Sequence, residues 1–156
     1  DKMPGNYHYL GMIHQLFPNA KFIYCKRDAL DNCFSCFVTQ FIQGHPYSYN
    51  FEALAHEYKS HLRYMAHWKK ILPEGSIYQV DYEEMVADQE GQSKKLLGFL
   101  GLNWEEKCND FYKLKRNVKT ASQAQVVLPI YSSSVKRADK FAKHLTELKE
   151  ALENDS

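Results

Sequence analysis

Apolar residues follow two rhythms along this chain. Phe22, Ile23, Tyr24 and Cys25 form one short unbroken run, and Ile77, Tyr78 and Val80 supply a second. Runs this short, rich in β-favouring side chains, predict strands of a covered sheet. Elsewhere the apolar positions recur at three- and four-residue steps, the period of an amphipathic helix. Tyr9, Leu10, Ile13, Leu16 and Phe17 predict a first helix, which Pro18 and Asn19 stop. Leu30, Cys33, Phe34, Phe37 and Phe41 predict a second, starting directly after the first strand. Leu54, Tyr58, Leu62, Met65 and Trp68 stripe a long third helix over 51–72. Residues 82–86, 89–100, 105–111 and 138–153 predict four more, with Gly101 as a C-terminal stop and Phe141, Leu145, Leu148 and Leu152 on the last apolar face. Strands alternating with helices imply an α/β sheet with crossover connections.

The junction after the first strand carries the candidate chemistry. Arg27 ends the strand, and Asp28 stands where a helix N-cap belongs. Asp31, Ser35 and Thr39 then share a helix face at four-residue steps. In open α/β sheets ligands bind in the crevice past the strand ends. A guanidinium fork and a hydroxyl at that place suit a phosphate. The structural alternative pairs Arg27 with Asp28 or Asp31 and bonds the Ser35 hydroxyl back to its own helix. The local pattern leaves both open. Tyr82 ends the second strand, on the same rim if the strands run parallel, where its ring either stacks on a purine or packs on its neighbour helix.

Residues 112–137 break the periodicity. Lys113, Lys115, Arg116, Lys119, Lys136 and Arg137 are basic, and no acid occurs among residues 111–138. Thr120, Ser122 and Ser132 to Ser134 add hydroxyls. A long irregular segment in a compact domain is usually functional or disordered, and cations with hydroxyls favour an anionic ligand.

Bulk properties narrow the field. The chain has 156 residues, enough for one domain or part of one. A net charge of +1 gives no general signal for nucleic acid or a membrane surface. No apolar run approaches the roughly 20 residues of a membrane span, and no signal-peptide pattern opens the chain. Cys33 and Cys36 form a C-x-x-C without the second ligand pair that structural zinc needs, so they read as reduced core thiols. His45 reads either as a proton acceptor or, more commonly, as an exposed loop residue. His56, His61 and His67 lack a pair four apart, which disfavours a two-His metal site, and they read as surface or interface residues. No metal site is expected. No Walker loop, dinucleotide fingerprint, H-E-x-x-H or G-x-S-x-G occurs.

Several segments in order bring a family into view: Asp1-Lys-Met-Pro-Gly-Asn6, Leu16-Phe-Pro-Asn-Ala-Lys-Phe22, Arg27-Asp28 with Ser35, Val80-Asp-Tyr-Glu-Glu84, Leu97-Gly-Phe-Leu-Gly-Leu102, Thr120-Ala-Ser122 and Pro129-Ile-Tyr with Ser133-Ser134. Together they resemble the carboxyl-terminal portion of a sulfotransferase, of the tyrosylprotein-sulfotransferase-like branch that in bacteria often follows tetratricopeptide repeats. The resemblance implies a P-loop-nucleotide-hydrolase-like parallel sheet with flanking helices. Residues 1–156 would form the C-terminal part of one such domain, without its first strand and 5'-phosphosulfate loop. It implies 3'-phosphoadenosine 5'-phosphosulfate as donor, adenosine 3',5'-bisphosphate as product, and a hydroxyl or amine acceptor on protein tyrosine, sugar or small molecule. By the same resemblance Arg27 and Ser35 hold the 3'-phosphate, Tyr82 lies against adenine, and Ser122 and Lys136 belong to a late loop closing over the nucleotide. Lys2 matches a catalytic lysine near the bridging oxygen. Thr39 departs from the pattern, since related enzymes can carry another arginine there. With the phosphosulfate loop and the carboxylate base upstream, this stretch alone is expected to be inactive, and the protein cytoplasmic. The alternatives are a nucleotide-dependent phosphoryl transferase of the same fold, which needs magnesium ligands and a Walker lysine, and a non-catalytic nucleotide- or partner-binding module.

Overall fold

The computed structural model describes residues 2–39, 41, 44–113 and 128–154. A 3-10 stretch, Pro4–Tyr9, runs into α1 (Leu10–Leu16), followed by β1 (Phe22–Lys26) and α2 (Ala29–Val38). A 3-10 turn, Pro46–Tyr49, precedes the long α3 (Phe51–Ile71). Then come β2 (Ile77–Asp81), α4 (Tyr82–Ala87) and α5 (Gln89–Leu100). The 3-10 turns Glu106–Cys108, Phe111–Lys113 and Ala138–His144 precede α6 (Thr146–Glu153).

Among the described residues the sheet has two strands, parallel and in register from Phe22 opposite Ile77 to Lys26 opposite Asp81. Parallel neighbours need a long crossover, which α2 and α3 supply. Successive strand residues face opposite sides. Tyr24 packs with Leu10 and Met65 on the α3 side, while Tyr78 stacks on Phe99 of α5 at 5.1 Å on the other. The larger core lies where α2, α3 and α6 meet, around Cys33, Phe34, Leu54, Tyr58, Leu145 and Leu148. Side-chain caps start three helices, of which the one at Asp28 was expected from the sequence. The Asp28 carboxylate accepts from the Asp31 amide at 2.9 Å, Asn50 caps α3 through the Ala53 amide at 2.8 Å, and Asp88 caps α5 through Gly91 at 2.9 Å. Gly101, at φ 72°, ends α5 in the left-handed region that glycine tolerates.

The structure corrects four expectations. The second helix stops at Val38, short of Phe41, because the Thr39 hydroxyl turns back to the Ser35 carbonyl at 2.7 Å and the backbone extends there. Residues 105–111 make 3-10 turns with no buried residue to stabilise a longer helix. The stretch 138–153 is broken at Leu145. Its first half is 3-10, which buries Ala138 and Leu145 but leaves Phe141 41% exposed. His61, expected as a surface or interface residue, is instead half-buried and packs among the rings of Tyr7, Tyr24 and Tyr58. His56 and His67 are exposed. Among the described residues, no helix is long and apolar enough to cross a membrane.

Candidate functional site

Because β1 and β2 run parallel and end level, Arg27 and Tyr82 leave the sheet side by side. The Arg27 guanidinium lies 4.9 Å from the centroid of the Tyr82 ring. Asp28 starts α2 at this rim, and its amide donates to the Glu83 carboxylate of α4 at 3.0 Å, so the two helix starts are tied together. Two turns into α2 stands Ser35. Arg27, Ser35 and Tyr82 all line one cleft of about 490 Å³, within the roughly 300–1,000 Å³ of small-molecule sites. Met85, Val86, Phe111, Leu128, Pro129 and Ile130 make up the apolar part of the lining. Among the described residues three cations line the cleft, Lys26, Arg27 and Arg137, and no carboxylate does. Such a lining concentrates anions.

Arg27 is held from several sides. Its Nη2 donates to the Ser134 carbonyl at 2.6 Å and lies 3.7 Å from Asp31 Oδ2. The Tyr58 hydroxyl donates to the Arg27 carbonyl at 3.2 Å. Burial pushes the Tyr58 phenol up to about 12, so it stays a donor at neutral pH. Arg27 Nε is buried and has no hydrogen-bond partner among the described residues. An unpaired buried donor is costly, and an acceptor entering the site would relieve it. Asp31 is itself buried, and its two oxygens accept from the Lys136 amide at 2.6 Å and the Ala138 amide at 2.7 Å.

Arg27 therefore pairs with Asp31, as the structural alternative has it, and also lines the cleft. For Ser35 the structural alternative fails, since among the described residues its hydroxyl has no hydrogen-bond partner and only its carbonyl is taken, by Thr39. Lys2 is exposed ahead of the first turn and is not among the residues lining the cleft. Lys136 enters through its backbone, at φ 56°, with an exposed side chain that does not line the cleft. Its neighbour Arg137 does line it. Ser122 lies outside the described residues. Asn32 and Tyr131 also line the cleft and were not foreseen. Arg137 had a signal in the acid-free basic stretch, and Asn32 had one in its place three residues before Ser35 on the same helix face. Cys33 is buried in the core, and that burial pushes its thiol up to about 12 and disfavours the reactive thiolate. No group of His, Cys, Asp and Glu among the described residues is arranged to hold a metal ion.

A family model described as "Sulfotransferase family" matches residues 1–106. This chain belongs to the sulfotransferase family. The match includes Arg27, Ser35 and Tyr82, while Ser134 and Arg137 of this sulfotransferase-family chain lie beyond it. An uncharacterized protein of Aquifex aeolicus (strain VF5) is 38% identical over 156 residues, covering 98% of this chain and 20% of that protein. The chain thus spans about a fifth of the length of the curated relative it matches.

Proposed function

We propose that this chain binds the adenosine 3',5'-bisphosphate portion of 3'-phosphoadenosine 5'-phosphosulfate, as part of an enzyme that transfers a sulfuryl group to a hydroxyl or amine acceptor. The observation that carries this reading is Arg27, whose buried Nε has no partner among the described residues, in a cleft that those residues line with three cations and no carboxylate. In this reading Arg27 and Ser35 hold the 3'-phosphate from the strand end and the helix face. Tyr82 carries the guanidinium on one ring face and offers the other to adenine, with Met85 and Val86 alongside. Arg137 adds positive charge to the lining, and Ser122 and Lys136 are read as members of the late segment that closes over the nucleotide. The two parallel strands and their helices are read as part of a P-loop-like sheet. The donor supplies an activated sulfuryl group, whose departure leaves negative charge on the 5'-phosphate. Lys2 is the cation assigned to stabilise that charge, the usual electrostatic role of a fixed cation in group transfer.

A charge-assisted hydrogen bond contributes about 1.5–3 kcal/mol net, or roughly ten- to a hundredfold in affinity. Isothermal titration of the chain should show adenosine 3',5'-bisphosphate binding more tightly than AMP or ATP. Arg27→Ala should remove the preference over AMP with a loss of about that size. A variant that keeps the preference would take Arg27 off the 3'-phosphate, and tighter binding of ATP would replace sulfuryl with phosphoryl transfer.

A further inference from the structure

Asp31 lies between the two residues assigned to the phosphate, four positions after Arg27 and four before Ser35, on one face of α2. It is a carboxylate in the core, 2% exposed, and a buried charge persists only when its acceptor sites are filled. They are filled from far along the chain. Oδ2 takes the amide of Lys136 and Oδ1 takes the amide of Ala138, over separations of 105 and 107 residues. Two amides spaced this way around a left-handed residue form a backbone nest, which grips an anion. Lys136 is the one described residue other than glycine at positive φ, 56°. A lysine adopts that conformation only where its surroundings impose it. The same carboxylate lies 3.7 Å from Arg27 Nη2, and that nitrogen donates to the Ser134 carbonyl. Ser134 and Arg137, both in the held turn, line the cleft.

We infer that Asp31 is a positioning residue for the nucleotide site: it latches the turn 134–138 against α2 through the Lys136 and Ala138 amides and sets the Arg27 guanidinium. It touches no ligand. Its carboxylate acts on binding through Arg27 and through the placement of Ser134 and Arg137. This role rests on the nucleotide reading above, but the latch exists without nucleotide. Asp31→Asn preserves the shape while replacing one accepting oxygen with a donor that faces an amide N–H, so one latch bond must fail.

Amide hydrogen exchange and nucleotide titration on the whole chain test the idea together. In Asp31→Asn the Lys136 and Ala138 amides should exchange about tenfold faster or more, and the affinity ratio of adenosine 3',5'-bisphosphate over AMP should fall about tenfold, the effect of roughly one lost hydrogen bond. Leu152→Ala, a core change away from the cleft, should lower the melting temperature and leave that ratio in place. Unchanged exchange overturns the latch. Faster exchange with an unchanged ratio overturns the positioning role. If Asp31→Asn does not fold, the unaltered chain decides: slow exchange at both amides in the free protein, slowed further by adenosine 3',5'-bisphosphate but not by AMP, supports the proposal. Fast exchange at both amides, free and bound, overturns it. An unaltered chain that binds neither nucleotide refutes the nucleotide reading itself, a result distinct from normal binding that Asp31→Asn leaves intact.

Discussion

His61 sits with the rings of Tyr7, Tyr24 and Tyr58 around it, and Tyr7 in turn donates to the Glu57 carboxylate at 2.6 Å. Burial disfavours the imidazolium and holds its pKa below the usual histidine value, with Glu57 and a backbone hydrogen bond at Tyr58 opposing more weakly. In the unfolded chain the same histidine takes its proton near about 6.5. Below that pH the unfolded state binds more protons than the fold, so stability drops as pH falls from about 6.5 toward the lower folded value. Above about 6.5 His61 has no effect on the pH dependence. His61→Phe, which keeps an aromatic ring and cannot titrate, should flatten that slope. Urea midpoints at several pH values between about 5 and 8 would show it, and an unchanged slope would assign the acid sensitivity elsewhere. The histidine pattern in the sequence showed the missing metal pair but not this burial, which depends on Tyr7 and Tyr24 arriving from other elements.

At the scale of elements, contact between α1 and α3 depends on a missing side chain. A Cβ at Gly11 would fall 2.7 Å from the Trp68 ring, and that ring is pinned by its Nε1 donating to the Tyr7 carbonyl at 2.6 Å. The indole cannot swing away without losing that bond. Gly11→Ala should therefore destabilise the fold by about 1–3 kcal/mol, the usual cost of overpacking. Gly98 in α5 has open space where its Cβ would go, so Gly98→Ala should instead be neutral or gain up to about 1 kcal/mol from helix propensity. Chemical denaturation of the two variants side by side checks both signs, and equal shifts would show that α1 does not rely on the close approach. The start of α2 and the end of α5 were legible in the sequence because Asp28 and Gly101 act on backbone a few residues away. The weaker ends were not: Thr39 and Leu145 interrupt apolar rhythms that periodicity alone would carry onward.

For the molecule as a whole, α6 closes the structure. Leu148 is fully buried among side chains of α2 and α3, and Lys59 of α3 donates to the Ala151 and Asn154 carbonyls at 2.9 and 2.7 Å. Leu148→Ala should cost about 2–5 kcal/mol, read from a denaturant midpoint; a loss under about 1 kcal/mol would mean that α6 packs only loosely. The same core includes Ala138, so closure by α6 and the latch on Asp31 are two ends of one packed segment.

The sequence by itself determined the parts whose causes are local. Short apolar runs made the two strands, Asp28 opened α2, and the order Arg27, Ser35, Tyr82 placed candidate ligands at strand ends and one helix face. Tertiary structure decided what those residues do together. Parallel register brought Tyr82 beside Arg27, and a turn more than 100 residues away filled the Asp31 carboxylate and put Arg137, rather than the Lys136 side chain, on the cleft. The reason is physical: a backbone amide carries no mark in the sequence of which carboxylate it will meet, and that pairing exists only once the core has brought α2 and the late segment together.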